Sequence, residues 1–446
     1  MTPPAPTVDR RPRWGSDASA AATLVLTLAV VWGVAKLLAV WGWVVAPSEY
    51  GDTYYYFLTA EELARAGGGI DDALREYPTP AGLLLLLPWE LGATDHEKYR
   101  AAVIGLTTAA DALFTLLLGR RLGPVGVLAW VALTAALGPL VLLRFDLLPA
   151  VVAGAAVLLA MEGRRVAASV LVGLGTGLKV WPIVLFPLTL RRRQNLAPTL
   201  ALAVTGVALV AASLLAGGWD RLLSPLSYQR DRGLQIEAVP ATIPMREWAG
   251  DPDFRVWFST FHAFEVTGPS VGPWLTFAQV ASIVGAVLCL ALLAWWFHHG
   301  ADPQAIAWLA LVLVGTFVVT SRALSPQYLL WLAAPAAVLV GLALRDGPDA
   351  PPAAPALFTF ALVLSLCGLT TGVYPVYYDA LLVRGRLTDR ALFLLTLRNV
   401  GLLVLVAWAA ACALVTSRGT PARGPRRPGW GSLTATPPGR GGTSLE

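Results

Sequence analysis

The stretch VAASVLVGLGTGLKVWPIVLFPLTL, Val166 to Leu190, decides the fold. At 25 residues it is long enough to cross a bilayer once. Yet Arg164-Arg165 precede it and Arg191-Arg192-Arg193 follow it. Arginine clusters beside membrane spans stay on the cytoplasmic side, so one crossing would strand a cluster on the wrong face. Lys179 stands mid-segment, after Gly173, Gly175 and Gly177 and before Trp181-Pro182. Two half-length helices that turn at Lys179 keep both clusters on one side. A membrane tolerates such a broken hairpin where its backbone lines a cavity. The glycine spacing is not a phosphate loop, because it lacks the GxxxxGK[ST] pattern and no strand precedes it.

Composition places the whole chain in the same setting. Of 446 residues, 56% are hydrophobic and 14% charged, against roughly 45–50% and about 25% in soluble domains. Mean hydropathy is +0.63. The net charge of +5 is spread as short clusters between apolar runs, which excludes a nucleic-acid surface and fits cytoplasmic loops. Cys289, Cys367 and Cys412 lie inside apolar runs without CxxC spacing, so neither a disulfide framework nor a zinc site is expected. No cofactor is expected. Nothing in the residues indicates a divalent metal, and metal dependence stays open.

Met1 to Asp17 reads as a disordered, Arg-rich cytoplasmic tail and Ala20 to Ala46 as a retained first span. A loop over about 47–100 holds the short apolar piece Ala81–Leu91, too short to span. Crossings follow over Ala101–Leu118, Pro124–Leu143, Leu147–Met161, the broken hairpin and Leu196–Ala216. A polar loop over 217–273 is long enough to be functional or partly folded. Trp274–Phe297, Ala305–Thr320, Tyr328–Ala343, Pro355–Gly372 and Ala391–Val415 complete the set, and 417–446 reads as a disordered cytoplasmic tail. The expected fold is therefore an all-α, polytopic integral membrane protein of about twelve helical segments, with one transmembrane domain over 18–416 and both termini inside.

This topology uses Lys and Arg alone, yet it brings the unusual polar residues to the outer face. Asp52, Tyr77, Arg144, Asp146, Lys179, the Tyr228–Glu237 cluster, Arg322, Gln327 and Tyr374 all fall there. Asp52 follows the first span and precedes Tyr54, Tyr55 and Tyr56, which makes it the candidate catalytic base. Arg144-Phe145-Asp146 has two readings, an ion pair at a tight turn or charges facing a cavity. Lys179 suits an anionic group at the interface, or it snorkels. Asp111, inside a span, reads as a hydrogen-bonding partner of a neighbouring helix. Tyr228, Arg232, Gln235 and Glu237 offer the donors and acceptors that sugar hydroxyls need, or they belong to an ordinary solvated loop. Arg322 reads as a forked phosphate contact or as a headgroup anchor.

Five motifs in order carry a family likeness: Asp52 with Tyr54–Tyr56 and Tyr77-Pro78-Thr79-Pro80, Arg144-Phe145-Asp146, GLKVWP at Gly177–Pro182, YQRDRGLQIE at Tyr228–Glu237, and SPQYLLW at Ser325–Trp331. Together they resemble the bacterial GT-C glycosyltransferases of the family 87 type, which include actinobacterial enzymes using polyprenyl-phosphate mannose. The likeness covers roughly residues 20–415. Thr79 stands where the family pattern reads Tyr-Pro-Pro, and the first-loop acidic signature is the single Asp52 rather than a pair.

The resemblance implies a GT-C-like fold and a membrane mannosyltransferase-like enzyme of the bacterial plasma membrane, with an extracytoplasmic site. It also implies a polyprenyl-phosphate sugar as donor and a glycolipid or wall polysaccharide as acceptor. Asp52 would take the acceptor proton, with inversion at the anomeric carbon. The departing phosphate is already anionic and needs cations rather than an acid, and Lys179, Arg144 and Arg322 are the candidates. Tyr54, Tyr55, Tyr77, Asp146, Tyr228, Arg232, Gln235, Glu237 and Gln327 are the expected substrate contacts. The rival class is a lipid-linked-sugar flippase or secondary transporter, which twelve helices and a broken hairpin also suit. The chain has no internal repeat and no matching second broken segment to support it.

Overall fold

The computed structural model describes residues 18–45, 51–71, 73–345 and 351–418. Both expected tails, 1–17 and all but the first residues of 417–446, lie outside the described residues. Helix dominates, as the apolar runs require, because hydrocarbon offers no partner to an unpaired backbone group. In chain order come α1 (Ala18–Val45), α2 (Gly51–Ala66), α3 (Thr79–Glu90), α4 (His96–Leu137), the short α5 (Leu140–Leu143), α6 (Leu147–Met161), α7 (Arg165–Leu178) and α8 (Leu196–Asp231). α9 (Thr242–Gly250), α10 (Val271–His298), α11 (Ile306–Thr320), α12 (Leu329–Arg345), α13 (Ala353–Thr371), the short α14 (Asp379–Leu382) and α15 (Thr388–Arg418) follow. Among the described residues, eight of these helices are long and apolar enough to cross a membrane: α1, α4, α8, α10, α11, α12, α13 and α15. The expected twelve segments also count the shorter α6, the two arms of the hairpin and the two arms of α4.

α4 is two helices. Gly123, at φ 69°, breaks it just before Pro124. Trp130 Nε1 donates to Asp111 Oδ1 at 2.9 Å across 19 residues. In continuous helix, those residues would stand about 28 Å apart. The arms are therefore antiparallel. Asp111 binds neighbouring helices, as read from the sequence. It pairs with Lys36 of α1 at 3.0 Å and accepts the Trp32 indole on its other oxygen.

The hairpin turns at Lys179, which ends α7 in extended backbone. Its return arm is a 3₁₀ helix, Trp181–Thr189, instead of a second α-helix, and Pro182 and Pro187 within it remove two of the N–H groups an α-helix needs. Ser169 Oγ donates to Thr189 Oγ1 at 2.9 Å, and Arg165 reaches Asn195 at 3.1 Å. The two arginine clusters thus end side by side. The glycines serve packing: a Cβ at Gly173 would come within 2.7 Å of Thr205, and one at Gly177 within 2.6 Å of Leu209, both on α8.

α12 is the central helix, packed among α4, α6, α11 and α13, with Trp331 fully buried. Gly217 and Gly218 break α8, and the helix resumes through Asp231, so the long polar segment begins as helix. Beyond it lies a small antiparallel sheet, the one β element among the described residues. Its strands β1 (Leu234–Gln235), β2 (Arg255–Phe258) and β3 (Phe264–Thr267) run in the order β1-β3-β2. Val266 pairs with Leu234 on one side and with Val256 on the other. The β2–β3 tip carries His262 at φ 51°.

Candidate active site

Asp52 occupies the first turn of α2, where a carboxylate complements the helix dipole. One oxygen pairs with the Arg144 guanidinium, and the other receives the Tyr56 hydroxyl at 3.4 Å. Tyr56 lies one helical turn on and shares a 2.7 Å hydrogen bond with Tyr77. Arg144 also donates to Tyr374 Oη at 2.8 Å.

The Arg-Phe-Asp turn between α5 and α6 is not an internal ion pair. Arg144 points to Asp52, and the buried Asp146 takes Lys179 Nζ at 2.7 Å and the Trp331 indole at 3.1 Å. Phe145 packs edge-on against Tyr77. Lys179 does not snorkel. Its ammonium stands 5.2–5.6 Å from the rings of Tyr77, Tyr328 and Trp331, as cation–π contacts do.

These groups wall a cavity of about 240 Å³. It gathers ten residues expected from the sequence: Asp52, Tyr55, Tyr77, Arg144, Lys179, Tyr228, Arg232, Gln235, Glu237 and Gln327. The remaining three lie elsewhere. Asp146 is fully buried behind Lys179. Tyr54, 46% exposed, turns away against His96 and lines neither this cavity nor its neighbour. Arg322 lines the neighbouring groove, where its Nη1 donates to the carbonyls of Arg230 and Arg232 at 3.0 and 3.1 Å. Glu237, although on the wall, is clamped from behind by buried Arg398, whose Nη1 reaches its carboxylate at 2.6 Å.

Sequence reading passed over several wall residues. Glu76, beside Tyr77, belongs to none of the motifs that carry the family likeness. Burial pushes its carboxyl above the usual range. His262 stacks on Tyr55 at 4.3 Å and Phe261 meets Tyr228 at 5.0 Å, so the β2–β3 tip roofs the cavity. Burial lowers the His262 imidazole. Arg398 had an available signal, since an arginine in an apolar run calls for a partner.

Beside the cavity runs a mostly apolar groove of about 720 Å³, walled by the hairpin's return arm, α8, α10 and α11. Leu226, Ile183, Leu290 and Phe317 line it while facing outward. Glu76, Lys179, Gln229 and Tyr328 border both spaces and form the throat between them. Among the described residues, no group of three or more His, Cys, Asp or Glu side chains is placed to hold a metal ion.

A polytopic helical membrane protein with a carboxylate-bearing polar cavity joined to a lipid-facing groove has the layout of a membrane glycosyltransferase. The sequence model of glycosyltransferase family 87 matches residues 77–326, more than half of the chain, and the protein belongs to that family. Asp52, Tyr54, Tyr55 and Gln327 fall outside the matched span. No curated protein matches the chain.

Proposed function

We propose that this glycosyltransferase moves a sugar, mannose by family likeness, from a polyprenyl-phosphate donor to a hydroxyl of an extracytoplasmic glycolipid or wall polymer. The observation that carries the reading is the throat: a polar cavity and an apolar groove meet at Lys179. An isoprenoid fits the groove, a sugar the cavity, and the phosphate between them the throat. The distribution of arginines supports both termini in the cytoplasm and the cavity on the opposite side, and the family likeness suggests a bacterial plasma membrane.

Asp52 is the general base. Arg144 holds one of its oxygens, and the other, whose contact among the described residues is the long one from Tyr56, is placed to receive the acceptor proton. As the acceptor oxygen bonds to the anomeric carbon, the bond from that carbon to phosphate oxygen breaks. Lys179 and Arg144 offset the charge that gathers on the departing phosphate. One displacement gives inversion, by analogy with inverting glycosidases. Arg322 lines the groove side, with a guanidinium partly committed to backbone carbonyls. No cofactor enters this scheme.

The test is transfer of labelled sugar from a polyprenyl-phosphate donor by protein purified in detergent, with and without EDTA. Product in both, lost in Asp52→Asn, is expected. Movement of donor only across a sealed bilayer, without product, would indicate a flippase instead.

A further inference from the structure

Among the described residues, three carboxylates line the cavity, Asp52, Glu76 and Glu237, and a fourth, Asp146, lies behind Lys179. Asp52 is paired with Arg144, Asp146 with Lys179, and Glu237 with Arg398. Glu76 differs: among the described residues it has no ion pair, and the Tyr55 phenol and its own backbone N–H lie beside its carboxyl. A carboxylate has about four lone-pair directions, and Glu76, which lines both the cavity and the groove, keeps accepting capacity for a donor in the throat. A half-buried carboxyl left in that state is costly unless something donates to it. Glu76 also borders the groove as well as the cavity, next to Lys179.

We infer that Glu76 binds the donor sugar, accepting a hydrogen bond from the hydroxyl on the carbon next to the anomeric centre. The inference rests on the donor reading above. If the phosphate lies at Lys179, the anomeric carbon is one bond beyond its oxygen. The C2 hydroxyl is then the first sugar donor group past the throat, and Glu76 is the carboxylate that borders the throat with its accepting capacity open. Tyr55 also lines the cavity beside Glu76, and its ring packs against the His262 ring. A hydrogen bond to the 2-hydroxyl strengthens as positive charge grows on the sugar ring, so the contact contributes to turnover as well as to binding. Asp52 remains the base, and Glu76 selects and orients the sugar.

The experiment pairs two enzymes with two donors: wild type and Glu76→Gln, each with a short-chain polyprenyl-phosphate mannose and its 2-deoxy analogue. Wild type should lose roughly 30-fold in kcat/KM on the 2-deoxy donor, the scale of a hydrogen bond to a charged group. Glu76→Gln should lose about as much on the natural donor, and little further on the analogue. Glu76→Asp should recover part of the loss, and an unchanged acceptor KM in Glu76→Gln would separate a donor contact from a general fault in folding. Two full and independent penalties overturn the inference while leaving the donor reading intact. Complete loss in Glu76→Gln with activity kept in Asp52→Asn would make Glu76 the base and overturn it too. Absence of product from wild type with either donor defeats the donor reading itself.

Discussion

Two lysine–carboxylate pairs lie within the helical bundle, and they are built differently. Lys36–Asp111 is closed. Asp111 accepts Lys36 and Trp130 on one oxygen and Trp32 on the other, and Lys36 also donates to Thr134. Lys179–Asp146 is open. Among the described residues Asp146 Oδ2 has no hydrogen-bond partner, and Lys179 borders both cavity and groove. On the cavity wall, Arg232 Nε, Gln235 Oε1 and Gln327 Oε1 are likewise buried without a hydrogen-bond partner among the described residues. A buried charge pair satisfied on every side binds helices together. One left with spare valence beside a space is prepared for a ligand.

Substitutions can break this contrast. The largest effect belongs to the cavity: Asp52→Asn should lower transfer by about 10³-fold with the protein still in the membrane, and full activity in that variant would remove Asp52 from the chemistry. In the closed pair, Lys36→Met leaves Asp111 buried without its cation. It should cost about 3 kcal/mol of stability, read as a lower unfolding temperature, while KM for both substrates holds. In the open pair, Lys179→Ala should reduce use of donor about 100-fold and of acceptor much less, and equal losses for both would assign Lys179 a structural role. Tyr54→Ala, on a ring that faces away from both spaces, should leave kcat/KM within about two-fold.

The bundle and the break at Lys179 were legible because each has a local chemical cause. Apolar length, arginine placement and the Trp-Pro that follows Lys179 act within a few residues of one another. Asp52 was legible as an acid placed just beyond a span. Partner choice was not. Arg144 and Asp146 are two apart and invite pairing, but the turn sends them to opposite walls, one to a residue 92 positions back. Glu76, between Arg75 and Tyr77, has the composition of a solvated loop. The residues that share its cavity and groove, Tyr55 on α2, Lys179, Gln229 and Tyr328, come from distant parts of the chain, which no local pattern encodes. The sheet was hidden for a similar reason: its strands are two to four residues long and have meaning only once paired.

The groove's outward leucines, isoleucine and phenylalanine leave it ajar to the hydrocarbon. A lipid-tethered donor would therefore reach Lys179 sideways, by diffusion in two dimensions, and its spent carrier would depart the same way. Turnover should then follow the mole fraction of donor in the bilayer, and be indifferent to the volume of water around it.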